Sequence, residues 1–529
     1  MSEKRTFIKG AAILSISGII VKLLGAALRI PLSNKIGAGM AYYNVAYTIY
    51  AIFLVLATAG IPVAISRLVS ERLSMGNGKG AHKVFTTAMK LMLAIGVGSF
   101  AICYFGAGPI SALIKIPDAE ISLKAIAPAL CIVPMLSAFR GYFQGQQNMT
   151  PTAVSEIGEQ VVRVVVGLAL GFYLYRYGLD TAAAGAATFG AGAGALVGIL
   201  IISVIYFANG RRLEVRQRRT TGRDESQRSI LKKIAWIAVP VIIGAEIMPT
   251  MSFVDTSIIV ARLQATGWSA EDALDLYSQY GAYCDTLISL PQTFTQAIAV
   301  SMVPSIAAFF WQNKIEKVNA NIKISMRLTM ILACPCAVGL FVLARPILAM
   351  LYPDQLESAL AAVPTLRVMT VGVILLAISQ TTTGALQSID RQMTPVKNLA
   401  IGACAKIVIT YVLVGIAPIN VKGAAIGTNA AYLIALLLNM WSVKKNTGVK
   451  FDVVMTYVKP MAASLIMGVC VYAVYILLLG YTAGCIATIA SILAGIAVYA
   501  VTIIRLGAIS AHELKMVPCG EIMVKLFRL

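Results

Sequence analysis

Charged side chains are scarce in this chain: Asp, Glu, Lys and Arg together make up 13% of its 529 residues. Soluble globular proteins carry about 25% charged residues, so the composition excludes a sizeable soluble domain. Histidine occurs only at His82 and His512, which argues against a metal site built on imidazole ligands. The nine cysteines are odd in number and scattered through apolar segments. They exclude a disulfide framework and are expected to be small, buried apolar residues.

Motifs of several enzyme classes are absent as well. The sequence has no Walker A loop, so we expect no ATP hydrolysis, and it has no Gly-x-Ser-x-Gly element and no acyltransferase-like His-Asp pair. We therefore predict that the protein is not an enzyme and has no catalytic residue and no cofactor. If it transports a substrate, the membrane potential, Na⁺ and H⁺ all stay open as driving forces.

Apolar sequence is what the chain has in abundance, since 58% of its residues are hydrophobic. Segments of roughly 20 apolar residues or more, long enough to cross a bilayer, recur from one end to the other. The pattern predicts an all-α polytopic membrane protein with about fourteen transmembrane helices. The expected spans are 8–33, 41–70, 84–107, 121–143, 152–177, 182–208, 230–262, 275–309, 322–345, 359–388, 396–416, 421–443, 453–480 and 482–506.

The charge that is present is mostly basic, with 44 Lys and Arg against 23 Asp and Glu, a formal net charge of +21. Basic residues concentrate in alternate loops, as the positive-inside rule requires, and not in the aromatic-rich stretches typical of nucleic-acid binding. We therefore predict a multi-pass protein of the bacterial plasma (inner) membrane with both termini cytoplasmic and no nucleic-acid partner. The basic segment Arg211–Arg228 is interpreted as a solvated linker, with contact to anionic phospholipids as the alternative.

One passage occurs twice. Residues 141–151 read GYFQGQQNMTP and residues 384–395 read GALQSIDRQMTP, so the two Met-Thr-Pro tripeptides lie 395 − 151 = 244 residues apart. Pro62 and Pro304 match at an offset of 304 − 62 = 242, and a Gly-Ala-Ala at Gly185 matches one at Gly423. Spans one to six therefore map onto spans seven to twelve as parallel repeats, related by a pseudo-two-fold axis along the membrane normal. The last two spans are an appended pair.

The repeat divides the chain into four parts. We expect an N-terminal lobe at 1–208, a basic cytoplasmic linker at 209–229, a C-terminal lobe at 230–445, and the appended helix pair with a cytoplasmic tail at 446–529. Two six-helix lobes are typical of alternating-access transporters. The polar residues of the duplicated corners, such as Gln147 and Arg391, are interpreted as shaping cytoplasmic turns and not as substrate contacts.

Charges inside the spans are the candidate functional residues, because a charged side chain at the bilayer centre costs roughly 2.5–3.5 kcal/mol. The first two spans contain cations and no acid before Glu71, which fits a cavity for an anionic substrate with phosphate groups. Alternatively, these cations snorkel to the interface or pair with Glu246 and Asp255 of the seventh span. Glu246, Asp255 and Asp285 are also candidates for a coupling ion. The candidate headgroup residues are Lys22, Arg29, Arg67, Asp255, Arg262 and Asp285.

The motif around the first Met-Thr-Pro resembles that of a known family. The stretch Phe139–Glu156, together with Lys22–Met40 and Gly60–Glu71, is similar to the YtgP/SpoVB/MurJ branch of the multidrug/oligosaccharidyl-lipid/polysaccharide (MOP) exporter superfamily. The resemblance covers essentially the whole chain and implies a MATE-like fold. It also implies a lipid II flippase for peptidoglycan synthesis, with the wall-synthesis machinery as an expected partner. In this family a cationic cavity of the N-terminal lobe holds the undecaprenyl-linked pyrophosphate, and the last two helices receive the polyprenyl tail.

The same resemblance implies roles for single positions, from which this chain departs in places. Lys22 stands where related flippases place an essential arginine. Arg29 stands where Gram-negative members have Asp, and Thr286 stands where they have arginine. Because two of the cavity charges differ, we expect Arg67 or Arg262 to compensate.

Three other functions stay open at this point. The first is a sibling translocase for exopolysaccharide, teichoic acid or spore-wall precursors on the same type of lipid carrier. The second is a cation-coupled multidrug exporter of the MATE type, which is disfavoured because the first span has Lys22 and Arg29 where such exporters often use carboxylates. The third is a scaffold of the wall-synthesis machinery that transports nothing.

Overall fold

The computed structural model describes residues 2–208 and 225–508, and this part of the chain is almost entirely helical with no β-strand. The chain forms two compact units, Met1–Ala282 and Tyr283–Leu529. Their boundary falls within a π-helical turn, Gln279–Cys284, whereas the repeats are expected to divide at 209–229. The compact units and the expected repeats are therefore different divisions of the chain.

The first unit is a bundle of helices in which the short helix α5 joins the long helices α4 and α6. Its helices are α1 (Ser2–Ile36), α2 (Met40–Thr58), α3 (Ile61–Ser74), α4 (Gly78–Phe105), α5 (Ala107–Leu113), α6 (Ala119–Gly145), α7 (Thr150–Tyr175), α8 (Asp180–Ala208), α9 (Gln227–Ala265) and α10 (Ala270–Ser278).

The second unit is also helical, with two short helices, α13 and α14, between its long ones. Its helices are α11 (Asp285–Trp311), α12 (Ile315–Val342), α13 (Ala344–Leu351), α14 (Leu356–Ala361), α15 (Val363–Ser388), α16 (Met393–Val414), α17 (Lys422–Thr447), α18 (Lys459–Leu479) and α19 (Gly484–Arg505).

Thirteen helical stretches of the described residues are long and apolar enough to cross a bilayer. The first of them, Ile16–Ser74, contains 59 residues, which is more than twice what one crossing needs. A 3₁₀ turn at Gly37–Gly39 divides it into α1 and the pair α2–α3. The stretch therefore accounts for two crossings, and the described part of the chain agrees with the fourteen spans predicted from the sequence. Which side of the membrane is cytoplasmic stays a prediction. Most of the basic linker and the whole C-terminal tail lie outside the described residues.

Small residues allow the helices of the first unit to approach closely. α1 lies along α7, where a Cβ added to Gly167 would stand 3.1 Å from a methyl carbon of Leu28. α7 lies along α8, where a Cβ added to Gly190 would stand 2.7 Å from the carbonyl oxygen of Arg163. In lipid, such close packing stabilises helix pairs through dispersion contacts. These two contacts place α7, and with it Arg163, beside α1.

The two duplicated corners have the same backbone geometry. Gln147 and Asp390 are both left-handed, with φ values of 59° and 60°. In each corner the next N–H donates to the carbonyl five positions earlier: Asn148 to Phe143 at 3.1 Å, and Arg391 to Leu386 at 2.9 Å. The corners therefore match at an offset of 390 − 147 = 243. Gln392 is one added residue after the second corner, and it explains why the Met-Thr-Pro tripeptides lie 244 apart.

The packing does not support the predicted match of Pro62 with Pro304. Gly141 and Gly384 are equivalent at the same offset of 384 − 141 = 243. A Cβ on Gly141 would stand 2.8 Å from the carbonyl oxygen of Pro62, and a Cβ on Gly384 would stand 2.7 Å from that of Ala299. Ala299 therefore takes the place of Pro62 in the second unit. Two isolated prolines matched by spacing alone are weak evidence of equivalence, because proline is common in membrane helices.

The cysteines agree only in part with the prediction that they are buried. All eight described cysteines are free thiols, and Cys103, Cys284 and Cys334 are buried. Cys404 and Cys485 are exposed, so the prediction is wrong for these two. Lipid tails are as apolar as the protein interior, so the hydrophobic effect does not drive a side chain of a membrane helix away from the lipid-facing surface. Cys519 lies outside the described residues.

Candidate functional site

Two cations of α1 share one side of the helix. Lys22 and Arg29 are seven residues apart, which is close to two full turns. The 3₁₀ turn after α1 returns the chain as α2, so that the first turns of α2 lie beside Arg29. The Arg29 guanidinium donates to Asn44 Oδ1 at 3.4 Å. It also lies 5.8 Å from the ring centroid of Tyr43 and 5.4 Å from that of Tyr47.

A second guanidinium reaches the same tyrosine from α7. Arg163 is buried, with 9% of its surface exposed, and its Cζ lies 5.0 Å from the ring centroid of Tyr47. Lys22 is an exposed residue of α1 that also lies within electrostatic range of Tyr47. We call Lys22, Arg29, Tyr43, Asn44, Tyr47 and Arg163 the cation–tyrosine cluster. The tyrosine rings hold its guanidinium groups by cation–π attraction, which leaves their positive charge in place.

The cluster also contains an unused hydrogen-bond donor. Asn44 is buried, with 5% of its surface exposed, and its Nδ2 has no hydrogen-bond partner in the described part of the chain. A buried donor without a partner costs about 1–3 kcal/mol. An anionic oxygen beside Arg29 would satisfy this donor, so the arrangement favours binding of an anion over an empty site.

Acidic groups next to the cluster are already engaged with other residues. Glu159 accepts from Arg140 at 2.8 Å, and Arg140 also donates to the Ser155 hydroxyl at 3.1 Å. Glu156 accepts from the Ser17 hydroxyl at 3.3 Å, which joins α7 to α1. The Arg140–Glu159 ion pair is largely buried, with 13% and 17% of the two side chains exposed. Both glutamates of α7 therefore have partners outside the cation–tyrosine cluster.

The sequence-based selection missed the charged face of α7. Glu156, Glu159, Gln160 and Arg163 recur at spacings of three or four in an otherwise apolar span. That spacing places them on one face of a helix, so the signal was present.

Asp255 of α9 is placed near the cluster through a shared tyrosine. Asp255 is buried, with 7% of its surface exposed. Tyr277 of α10 lies within electrostatic range of both Asp255 and Arg29, and its hydroxyl lies 2.8 Å from the Thr256 hydroxyl. Arg262 follows on the same helix and is half-buried. The structure thus brings Lys22, Arg29 and Asp255 into one region of the first unit.

Two of the predicted site residues lie on other elements. Arg67 is exposed on α3. Asp285 is exposed at the start of α11, in the second compact unit. Neither position is linked to Arg29 by a contact described above.

Glu246 of α9 is not the partner of an α1 cation. Both of its carboxylate oxygens are inaccessible to solvent, and neither has a hydrogen-bond partner in the described part of the chain. The alternative in which Glu246 neutralises Lys22 or Arg29 is therefore wrong. A buried, unpartnered carboxylate is far less costly in its neutral form.

The second unit contains a buried cation that sequence reasoning also missed. Lys406 of α16 has 5% of its surface exposed. A Cβ added to Gly427 would contact the carbonyl of Lys406, just as one added to Gly190 would contact the carbonyl of Arg163. The offset of 244 that holds after Gln392 makes Ile407 the equivalent of Arg163, so Lys406 lies one position away from it. The buried charge is not confined to the first unit, although the tyrosines that surround Arg163 are a feature of the first unit.

A separate ionic contact lies where the chain enters α9. Glu225 accepts from Arg72 at 2.7 Å and from Lys233 at 2.9 Å, and Arg72 is buried at the end of α3. The hydrogen bond from Lys233 and the charges of Arg72 and Lys233 hold the pKa of the Glu225 carboxyl below its usual value. This contact fastens the start of α9 to the end of α3.

Comparison with family models finds two matches. The model described as polysaccharide biosynthesis protein matches residues 7–310, more than half of the chain. A second model, MatE, matches residues 281–412. Together they cover residues 7–412.

Curated relatives and a solved structure agree with these matches. Lipid II flippase MurJ of Bacillus subtilis (strain 168) is 28% identical over 488 residues, covering 89% of this chain and 88% of the relative. Stage V sporulation protein B of the same organism is 28% identical over 449 residues, covering 84% of each. A structure of lipid II flippase MurJ in an inward closed conformation matches with a TM-score of 0.69 at 17% identity, covering 94% of this chain and 98% of that one. The predicted resemblance and the predicted helical membrane fold are confirmed.

Proposed function

Because the chain belongs to the polysaccharide biosynthesis protein family, we propose that it is a flippase for a lipid-linked pyrophosphate-sugar precursor. Lipid II is the substrate we favour, since a relative named lipid II flippase MurJ aligns over 89% of this chain. The proposed direction is from the cytoplasmic to the outer leaflet, by alternating access, in support of peptidoglycan synthesis.

The observation that carries the proposal is the cation–tyrosine cluster. Arg29 and Arg163 lie on the ring of a single tyrosine, Tyr47, and the unused amide donor of Asn44 is next to them. Pyrophosphate offers several anionic oxygens, and guanidinium groups bind such oxygens with directional, charge-assisted hydrogen bonds. A cationic drug would meet a repulsive potential at this site, which argues against a multidrug exporter.

The test is the exposure of lipid II on the cell surface after depletion of the native flippase and complementation with variants of this chain. Arg29→Gln and Arg163→Gln should each lower the flipping rate at least about tenfold, because each removes a charge-assisted hydrogen bond to the headgroup. Arg176→Gln is the matched control, since Arg176 is an exposed arginine just beyond α7. Wild-type rates for both cluster variants would refute the proposed headgroup site.

The same assay tests whether Arg67 and Arg262 compensate for the cavity charges in which this chain differs from the family. If they replace the family cations that this chain lacks, neutral substitution of both should impair flipping. Intact flipping in that double variant, with loss of flipping in Lys22→Ala, would show that they contribute nothing to headgroup binding.

A sibling translocase is the second candidate, and one observation favours it. Stage V sporulation protein B matches this chain at 28% identity, the same value as for the flippase relative. Reconstituted protein should be offered lipid II, teichoic acid precursors and exopolysaccharide precursors on the same undecaprenyl carrier. A higher rate for one of the latter two would replace lipid II as the substrate and leave the cluster as the pyrophosphate site.

For energy coupling, we propose that Glu246 carries a proton. Its two oxygens are buried without a hydrogen-bond partner in the described part of the chain, whereas a bound Na⁺ would need several oxygen ligands around it. Flipping in proteoliposomes should therefore respond to an imposed pH gradient, and Glu246→Gln should abolish that response. A response to a Na⁺ gradient or to membrane potential alone would contradict the assignment.

A further inference from the structure

The second corner of the repeat carries a pocket. It has a volume of about 300 Å³ and lies in the second unit, where three long helices end. α11 ends at Trp311, α15 at Ser388 and α17 at Thr447. The pocket is lined by Phe310, Trp311, Ile389, Asp390, Arg391 and Asn446. Because it lies at the ends of three spans, it is placed at the boundary between bilayer and water.

One residue of this corner differs between the repeats. Gly145 of α6 packs tightly on α3, since an added Cβ would stand 2.8 Å from the carbonyl oxygen of Ser66. The equivalent residue, 243 positions later, is Ser388, whose hydroxyl donates to its own helix at Gly384 O, 2.6 Å away. Ser388 is buried, with 3% of its surface exposed, and the three residues that follow it line the pocket.

The charges in the pocket are of both signs and do not neutralise each other. Asp390 and Arg391 are adjacent and exposed, and neither makes an ion pair within residues 2–208 and 225–508. The Asn446 amide donates to Ser442 O at 2.7 Å, which leaves its side-chain oxygen as an acceptor. A pocket with one cation, one anion and one acceptor suits a ligand that carries both a phosphate and an ammonium group.

The helix ends determine where the ammonium group belongs. Three helix C-termini direct the negative ends of their dipoles toward this region. Together with the Asp390 carboxylate and the Asn446 oxygen they favour a group with several N–H donors. Arg391 then faces the phosphate. Trp311, 72% exposed, and Phe310 offer apolar surface at the depth where aromatic residues meet lipid glycerol and acyl chains.

We propose that this corner pocket binds the headgroup of a zwitterionic phospholipid with a primary ammonium, such as phosphatidylethanolamine. Asp390 and Asn446 accept hydrogen bonds from the ammonium, Arg391 donates to the phosphate, and Trp311 packs against the glycerol. A trimethylated ammonium, as in phosphatidylcholine, has no N–H to donate and fits less well. This role is separate from transport and uses none of the residues of the cation–tyrosine cluster.

The test is native mass spectrometry of the full chain in detergent, titrated with phosphatidylethanolamine or phosphatidylcholine of identical acyl chains. Wild-type protein should bind the former at least about tenfold more tightly, as expected for hydrogen bonds to a charged group. Asp390→Asn keeps a residue that tolerates the left-handed turn and should remove the preference. Arg391→Gln should weaken both lipids. Lys397→Gln, at an exposed cation outside the pocket, is the matched control and should change neither.

The outcomes separate this proposal from its alternatives. Equal binding of the two lipids to wild-type protein, or a preference that survives in Asp390→Asn, would overturn it. Free phosphoethanolamine at the lipid concentration should not compete, because it lacks the glycerol and acyl chains that pack on Trp311. Full competition would instead identify a soluble phosphate ester as the occupant. Each variant should retain the wild-type unfolding temperature, and Arg391→Lys should recover lipid binding if the charge is what matters.

Discussion

At the scale of the residue, Tyr47 lies between two cations that come from different spans, Arg29 of α1 and Arg163 of α7. Its ring is within 5.4 Å of the Arg29 Cζ and 5.0 Å of the Arg163 Cζ. A carboxylate in this place would form ion pairs and cancel the positive potential. An aromatic ring attracts each guanidinium through its quadrupole and leaves the net charge for the substrate.

Tyr47→Phe and Tyr47→Leu separate the ring from the hydroxyl. Phenylalanine keeps the quadrupole but removes the hydrogen bond between the Tyr47 hydroxyl and Arg163, so we expect Tyr47→Phe to lose less of the flipping rate than Tyr47→Leu. Tyr47→Leu removes two cation–π contacts, each worth about 1–2 kcal/mol when desolvated, and should lower the rate roughly tenfold or more. Initial flipping rates in proteoliposomes measure both. Equal loss in the two variants would show that the hydroxyl, and not the ring, is required.

The Arg140–Glu159 pair should contribute strongly to stability. Its side chains are 13% and 17% exposed, so Glu159→Gln leaves an arginine without its charge partner in a largely buried place. Breaking a buried pair in this way costs about 3–5 kcal/mol. Glu120→Gln is the control, because the Lys124–Glu120 pair is 45% and 40% exposed and should contribute no more than about 1 kcal/mol. Thermal unfolding in detergent compares them, and similar losses would contradict this prediction.

Glu225 should make stability depend on pH in the acid range. Its pKa is lowered from the usual 4.5, first by the hydrogen bond from Lys233. A lowered folded-state pKa contributes stability that is complete above the unfolded value and is lost as the pH falls through the folded value. The unfolding-temperature difference between wild type and Glu225→Gln should be constant above about pH 5 and shrink below the usual carboxyl pKa. Because Glu225 and Lys233 are 35% and 45% exposed, solvent screens their attraction, and that pair should contribute less than about 1 kcal/mol to the free energy of unfolding. A difference that grows on acidification would rule out this role.

At the scale of the element, α7 connects the two charged networks. Arg163 contacts Tyr47 of α2, and Glu159, one turn earlier on the same face, binds Arg140 of α6. Close packing on α8 through glycine fixes the rotation of α7 about its axis, and that rotation decides which side each charge faces. The position of Arg163 therefore depends on a contact between backbones.

Gly190→Val should disturb the site without touching a charged residue. A Cβ there would stand 2.7 Å from the carbonyl oxygen of Arg163, so α7 and α8 must separate. We expect loss of at least half of the flipping rate together with a lower unfolding temperature, since overpacking costs about 1–3 kcal/mol. Gly98→Val is the control, because nothing lies within 4 Å of its added Cβ. A wild-type rate in Gly190→Val would show that α7 has more freedom than its packing indicates.

The sequence predicted the helices well and the charged site only in part. Lys22 and Arg29 were found because each is an isolated charge in an apolar span, where its cost is evident. Arg163 was missed because it lies among Glu156, Glu159 and Gln160, a pattern that also describes an ordinary polar helix face. Which of these charges pair and which stay positive depends on contacts with α1, α2 and α6. Such contacts join residues that are distant in the sequence, and a single sequence does not reveal them.

At the scale of the whole molecule, the number of crossings determines on which side of the membrane each loop lies. With fourteen crossings, the loop after α16 and the loop after α17 lie on opposite sides of the membrane. The positive-inside rule predicts that the second of these lies in the cytoplasm.

Reporter fusions test this arrangement. Alkaline phosphatase fused after Asn420, between α16 and α17, should be active, because that enzyme requires export from the cytoplasm. The same enzyme fused after Gly448 should be inactive. A fusion of green fluorescent protein after Gly448 is the control and should fluoresce. Phosphatase activity at both positions, or at Gly448 only, would show that the predicted orientation or the crossing count is wrong.

The boundary between the compact units has a consequence for the ancestry of the chain. The duplicated segment is predicted to hold six spans, yet α9, the first helix of the second copy, belongs to the first compact unit, and the appended α18 and α19 belong to the second. A gene for one copy alone would thus have encoded neither of the present units.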